Sequence, residues 1–301
     1  MIALSFFLGP GSFFKAHVDT PRSDEMFGSL VVVLPTVHEG GSLVFRHNGQ
    51  ERTFDTAREV SSHEFPRIAF VAFYSDVEHE VSVVTSGYRV TLTYNLYLTN
   101  YPSVKSGLGI GLDREVVEKM KTALEPLPDL ELFSQGGLLA FGLSHKYPFN
   151  PNTTALEDIQ GRLKGSDAQT WSLCKALSLN VSLKAVYHAE EGYYKEMALT
   201  CLLDHFADLD PELIDGKIVE ENILDHLREN HKGIWFYDVE GCTWNEYEVP
   251  PILWVKPRGK SNTFQQVYMA HGNEASPDHA YGEVCLVAEI GNIRERRISP
   301  W

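Results

Sequence analysis

The sequence predicts a chain in two parts: mainly β structure of sandwich or jelly-roll type over residues 1–100, and an α+β region over residues 101–301. Two observations carry this division. Short runs rich in Val, Leu, Phe, Tyr and Thr follow one another closely up to Leu98, each bounded by Gly, Pro, Asp or Asn. Closely spaced strands with such turn signals indicate a sandwich or jelly roll. Beyond Leu98 the character changes, because the turn-rich connection Thr99-Asn-Tyr-Pro-Ser-Val-Lys-Ser-Gly-Leu-Gly109 gives way to mixed helix-like and strand-like segments.

Taken in order, the apolar residues 1–8 supply a first strand leading into Pro10-Gly11, and residues 12–19 read as extended. Further strands are expected over 30–35, 41–46, 68–74, 79–84 and 88–98. Side chains alternate along a strand, so residues i and i+2 share a face. His17 and Asp19 therefore project together, as do Arg89 and Thr91, whose shared face is expected to be interior with Thr93 and Asn95 further along it. In the second part Asp113 is placed to cap a helix over 114–124 that stops before Pro126. A strand over 136–143, a helix over 167–177 and a strand over 181–188 follow. Residues 219–230 read as an amphipathic helix with Ile223, Leu224 and Leu227 on one side, and late strands are expected near 252–255, 264–269 and 283–290. There is no internal repeat and no low-complexity tract.

The chemistry-bearing pattern lies in the first part. His17 and Asp19 are followed by His79 and, ten positions later, by Arg89. Two imidazoles and one carboxylate hold non-haem Fe(II) on one face and leave its other positions open. An arginine just beyond the second histidine suits a dicarboxylate, which a planar guanidinium grips in a two-pronged way. The combination points to an iron- and 2-oxoglutarate-dependent oxygenase. Singly, each residue has a blander reading: a surface His-x-Asp, a strand-edge histidine, a solvated arginine.

These residues sit in segments that resemble a known family. Phe13-Phe-Lys-Ala-His-Val-Asp-Thr-Pro-Arg22, Gly28-Ser-Leu-Val-Val-Val-Leu-Pro35, Gly40-Gly-Ser-Leu-Val44, Phe73-Tyr-Ser-Asp-Val-Glu-His-Glu-Val81 and Ser86-Gly-Tyr-Arg-Val-Thr-Leu-Thr-Tyr-Asn95 are similar to the prolyl 4-hydroxylase-like branch of the 2-oxoglutarate/Fe(II) dioxygenases. The resemblance covers about the first hundred residues and implies a double-stranded β-helix. Residue by residue, it assigns iron to His17, Asp19 and His79, and 2-oxoglutarate to Arg89 with Thr91. It implies an oxidoreductase that hydroxylates a protein side chain such as proline, or a small molecule, with release of succinate and carbon dioxide. Fe(II), 2-oxoglutarate and dioxygen are the implied cofactor and partners, with ascorbate as a candidate addition.

Members of the family carry helices and early strands ahead of the first histidine, whereas sixteen residues precede His17, so the domain reads as shortened at its amino end. That departure gives the alternative, a catalytically inactive oxygenase-like binding or scaffold protein. A metal-binding jelly roll outside the oxygenases is a third reading. The segments Leu163-Lys-Gly-Ser-Asp-Ala168 and Gly272-Asn-Glu274 before Tyr281-Gly282 are similar to carboxy-terminal regions that accompany this domain in fungal proteins. Residues 101–301 carry no catalytic constellation of their own and read as an accessory region.

Charge limits the partners. Lys plus Arg total 26 against 41 Asp plus Glu, a formal charge of −15, which argues against broad binding to nucleic acid or anionic membrane. Cys174, Cys201, Cys242 and Cys285 form no Cys-x-x-Cys pattern and read as buried free thiols. The apolar start lacks a basic n-region and a small-residue cleavage site, and no stretch reaches membrane-span length, so cytoplasm or nucleus is expected. His38, His47 and His63 lie beside turns or in polar connections and read as solvated non-ligands, and His271-Gly-Asn273 reads as a turn. Lys15 and Arg22 read as exposed charges flanking the site.

Overall fold

The computed structural model describes residues 2–98 apart from 21, 24 and 62–64. Beyond them it describes 112–127, 136–147, 154–189, 199–207, 230–237, 251–257, 265–271, 274–281 and 284–291, with Phe133, Phe149 and Leu227. The chain divides into two compact units, Met1–Pro102 and Ser103–Trp301.

The first unit comprises β1 (Ile2–Leu8), β2 (Phe14–His17), β3 (Met26–Val33), β4 (His38–Gly40), β5 (Leu43–His47), β6 (Gln50–Phe54), α1 (Thr56–Ser61), β7 (Ala69–Tyr74), β8 (Glu78–Val81), β9 (Val84–Gly87) and β10 (Arg89–Tyr97). They form two four-stranded sheets, β1-β10-β3-β7 and β2-β8-β5-β6, and a two-stranded ladder β4-β9. The long ladder is held in register by its apolar alternation, since a slip of one residue would turn every core side chain outward. Thr91, Thr93 and Asn95 of β10 stand opposite Val33, Val31 and Ser29 of β3, which in turn face Ala69, Val71 and Phe73 of β7. Both sheets contribute to one core: Leu8, Val31, Val33 and Ala69 from the first, Leu43 and Val81 from the second, with Val60 of α1 and Val84 of β9. Asp55 starts α1, its Oδ1 accepting from Arg58 N at 3.1 Å, as an N-cap carboxylate should.

The second unit comprises α2 (Arg114–Leu124), β11 (Gly137–Gly142), α3 (Leu156–Gln160), α4 (Gly165–Ala176), β12 (Asn180–Ala189), β13 (Leu199–Leu203), β14 (Ile234–Tyr237), β15 (Ile252–Lys256), β16 (Gln265–His271), β17 (Glu274–Tyr281) and β18 (Val284–Ile290). Asp113 caps α2 by accepting from Glu115 N at 2.9 Å. Six strands make one sheet in the order β14-β13-β12-β18-β11-β15, and β16 and β17 form a two-stranded sheet. One face of the large sheet packs Leu139, Phe141, Leu183 and Leu286 against Leu156 and Ile159 of α3 and Cys174 of α4. The segment 163–168 has a structural task here. Asp167, at 2% exposure, accepts from the amides of Ser144 and His145 and from the Tyr147 hydroxyl, tying the start of α4 to the turn after β11.

The structure corrects the expected fold class. A mainly β first part, of double-stranded β-helix or jelly-roll type, followed by an α+β remainder, does not describe the distribution. The largest sheet and three of the four helices of the described residues lie beyond residue 103, while α1 lies in the first unit. The physical reason is sequence distance. β11 takes its neighbours from β15 and β18, more than a hundred residues away. Its six positions are all buried, so it lacks the alternation that marks a half-exposed strand.

The expected helix over 219–230 falls largely outside the described residues, as do His63 and Cys242. Cys174, Cys201 and Cys285 are buried and form no disulfide among the described residues, and burial pushes the thiols of Cys174 and Cys201 up to about 11 and about 12. Such thiols are poor nucleophiles at neutral pH. Among the described residues no helix is long and apolar enough to cross a membrane.

Candidate functional site

A one-residue irregularity in β2 builds the site. Phe14 stands opposite Val81 and His17 opposite His79, so β2 carries one residue more than β8 across the same stretch. Residues three apart in a regular strand face opposite ways, and the bulge restores His17 to the side that Phe14 shares with the core. The expected extension of the strand through Asp19 is corrected, since β2 ends at His17. Asp19 lies past the paired residues, where Ser29 Oγ of β3 donates to its Oδ2 at 2.5 Å. His79 comes from the middle of the second sheet, opposite both His17 of β2 and Phe45 of β5.

The three side chains converge. One ligand atom from each of His17, Asp19 and His79 lies within 4.8 Å of the others, and the imidazole centroids are 4.3 Å apart. Each ring is oriented by a backbone carbonyl: His17 Nδ1 lies 2.8 Å from Lys15 O and His79 Nδ1 lies 3.0 Å from Val77 O. A carbonyl can only accept, so both Nδ1 atoms carry the proton and both Nε2 lone pairs remain for a metal. His79 Nε2 lies 3.8 Å from Asp19 Oδ1. Neighbouring ligands on an octahedral ion, bound at about 2.1 Å, sit about 3 Å apart, so closing on an ion asks for a contraction of about 1 Å. The residues fit a divalent metal of the non-haem iron type, with two imidazoles, one carboxylate and an exposed side at His17.

His79 is 7% exposed, its ring 4.5 Å from that of Phe73. Burial lowers its pKa from the ordinary histidine value and outweighs the opposing pull of the Val77 carbonyl and Asp19. The buried ring is held neutral, the form that binds metal. Ser29 is a polar residue on the inward face of an apolar strand, a signal that the sequence carries and that motif spacing passes over. Removing its hydroxyl with Ser29→Ala is expected to weaken Mn(II) binding about 10-fold, the low end of losses from groups that orient a ligand. Calorimetric titration would read it.

Arg89 opens β10, and with Thr91 it is 2% exposed, so the alternating face is interior. Its Nη2 is buried with no hydrogen-bond partner among the described residues, and its Nε donates to Thr56 Oγ1 at 3.4 Å. Burial alone lowers its pKa, to about 10, and no carboxylate among the described residues compensates the charge. A buried cation with an orphaned donor is costly. It fits an anionic group that arrives from outside, and a dicarboxylate co-substrate has one. Gly41 makes room for this side chain: with φ +68°, it would place a Cβ 2.8 Å from Arg89 Cδ.

Thr56 and His38 escaped sequence reasoning. His38, expected to be solvated beside its Gly-Gly turn, is 5% exposed with Nε2 3.4 Å from Thr56 Oγ1, and Thr56 is fully buried. Nothing local in the sequence signals that contact, which depends on the packing of α1 against the β4 turn. Lys15 and Arg22 are exposed, and His47 is half-buried.

Comparison with known proteins bears on this first unit. The family described as "2OG-Fe(II) oxygenase superfamily" matches residues 2–97. No curated protein matches the chain. Among solved structures, an oxidoreductase of the 2OG-Fe(II) oxygenase family from Burkholderia pseudomallei is 21% identical, with 30% of this chain and 39% of that one covered and a TM-score of 0.25. A prolyl-4-hydroxylase from Pseudomonas putida is 24% identical, with 32% and 51% covered and a TM-score of 0.24. The match thus spans about 39% and 51% of the length of these two structures.

Proposed function

Residues 2–97 carry a domain of the 2OG-Fe(II) oxygenase superfamily, and from that premise we propose that the chain is an Fe(II)- and 2-oxoglutarate-dependent dioxygenase that hydroxylates a protein side chain or a small molecule. The observation that supports this most is the pairing of two features in one unit. A two-histidine, one-carboxylate cluster lies within 4.8 Å, and a buried arginine has an Nη2 with no partner among the described residues. When bound, the metal and co-substrate supply the oxidative chemistry, in which 2-oxoglutarate, dioxygen and R–H give succinate, carbon dioxide and R–OH.

The chain's own residues hold and orient. His17 and His79 offer Nε2, and Asp19, steadied by Ser29, offers a carboxylate oxygen. Three protein ligands leave the remaining positions for co-substrate and oxygen. Arg89 receives the distal carboxylate of 2-oxoglutarate in a charge-assisted contact, with the Thr91 hydroxyl beside it. Phe73 and Phe45 line the His79 side and keep water from it. The same reading assigns residues 1–100 to the oxygenase domain and 101–301 to an accessory region.

Succinate release tests the proposal. The full chain, given Fe(II), 2-oxoglutarate and air, is expected to release succinate in step with hydroxylation of an acceptor found by screening peptides and small molecules. Asp19→Ala should lose that release. A wild-type protein that binds Fe(II) and yet releases no succinate with any acceptor would favour a silent binding module.

A further inference from the structure

The polypeptide secures Arg89 unevenly. Its stem lies over Gly41, where a side chain would come within 2.8 Å of Cδ, and its Nε donates to Thr56 Oγ1 at 3.4 Å. The terminal Nη2, equally buried, has no partner among the described residues. One end of the guanidinium is thus held by protein and the other left for something else.

Thr56 is itself tightly placed. It is the first residue of α1, fully buried, and its hydroxyl lies 3.2 Å from Gly41 O and 3.4 Å from His38 Nε2. The far nitrogen of His38, Nδ1, lies 2.8 Å from Thr36 O, an acceptor, and so carries the proton. A hydroxyl has one hydrogen and two lone pairs. Whether that hydrogen goes to Gly41 O or to His38 Nε2, a lone pair remains for Arg89 Nε–H. The geometry has a stereochemical consequence. A carboxylate can grip a guanidinium side-on, through Nε and Nη2, or end-on, through Nη1 and Nη2. With Nε committed to Thr56, the side-on fork is closed and the end-on fork remains.

We propose that Thr56, its hydroxyl hydrogen taken up by the Gly41 carbonyl or by His38 Nε2, is a positioning residue that fixes the Arg89 guanidinium for end-on capture of the co-substrate's distal carboxylate. The inference rests on the reading of Arg89 as the 2-oxoglutarate anchor. Thr56 touches neither metal nor co-substrate; it acts through Arg89.

The test uses the full chain loaded with redox-inert Mn(II) and titrated calorimetrically with 2-oxoglutarate. Thr56→Val keeps the shape and removes the hydroxyl, and it is expected to weaken 2-oxoglutarate binding about 10-fold, the loss of one hydrogen bond to a charged group. Thr56→Ser, which restores the oxygen, should bind within about 2-fold of wild type, and Mn(II) affinity should stay within about 2-fold in both. Undiminished 2-oxoglutarate binding by Thr56→Val would overturn the inference. So would an equal loss in Thr56→Ser, or a parallel loss of Mn(II) affinity that betrays general loosening. A wild-type protein that takes Mn(II) but no 2-oxoglutarate would overturn the Arg89 reading itself, which separates the two failures.

Discussion

Arg89→Met is expected to lose 2-oxoglutarate binding by about 100-fold or more while leaving the unliganded protein at least as stable as wild type. The two effects share one cause. Arg89 is 2% exposed, carries a positive charge and has an Nη2 with no partner among the described residues, which supply no compensating acid for its desolvation. Burial brings its pKa from 12.5 to about 10. That is a penalty on the charged form of order 3 kcal/mol, at about 1.4 kcal/mol per pH unit. Methionine keeps much of the stem that rests on Gly41 and removes the charge, and replacing a buried charge with an apolar side chain is commonly neutral or stabilising by about 1–4 kcal/mol. Against this stands the lost bond from Nε to Thr56, worth about 1 kcal/mol. Unfolding in denaturant should therefore show unchanged or raised stability. Calorimetry should show 2-oxoglutarate affinity gone and Mn(II) affinity kept. A destabilised mutant that still binds 2-oxoglutarate would mean that Arg89 is a structural residue.

His79→Ala is the complementary case, in which the metal goes and the anchor stays. Removing one of three ligands should lower Mn(II) affinity by more than about 100-fold, beyond the 10–100-fold typical of orienting groups, and succinate release should vanish with it. The mutant should still unfold cooperatively, with a loss of stability from the space left beside Phe73. The pH dependence follows from the direction of the His79 shift. Its folded pKa lies below the ordinary 6.5, with burial the main cause, so the unfolded chain binds the proton more readily. The contribution of His79 to stability is present above pH 6.5 and is lost as pH falls through the lower, folded value. Metal binding should follow the same course, with proton competition at His79 setting in only below 6.5. Mn(II) titrations at stepped pH, in wild type and His79→Ala, would show whether that competition starts where it should.

How much of this could be read from residues alone differs from group to group. Arg89 and Thr91 follow from period-two alternation on a long strand, and α2 occupies residues 114–124 as Asp113 and Pro126 announce. The closeness of His17 and Asp19 looks like the same alternation, but the chain reaches it otherwise. A bulge sets His17 opposite His79, the strand ends there, and a hydrogen bond from Ser29 holds Asp19. Bulges arise from pairing between strands, and β8 lies sixty residues from β2, so local pattern could not supply this one. His38 shows the same limit, because its Gly-Gly neighbours signal a solvated turn while α1, a separate element, covers it. The six-stranded sheet of the second unit was hidden for the same reason. β11, β12, β15 and β18 are expected as strands from the sequence and β13 and β14 are not, and β11 sits between β15 and β18 only in the folded chain.

Anaerobic addition of Fe(II) and then 2-oxoglutarate to the full chain probes both halves of the site together, because a keto acid chelating Fe(II) absorbs weakly in the visible. Wild type should develop that band, saturating at one equivalent of each. His79→Ala should lose it for want of metal, and Arg89→Met for want of co-substrate. A wild-type protein that binds Fe(II) but gives no band at saturating 2-oxoglutarate, or an Arg89→Met variant whose band matches wild type, would contradict the assignment of His17, Asp19, His79 and Arg89 to one oxygenase centre.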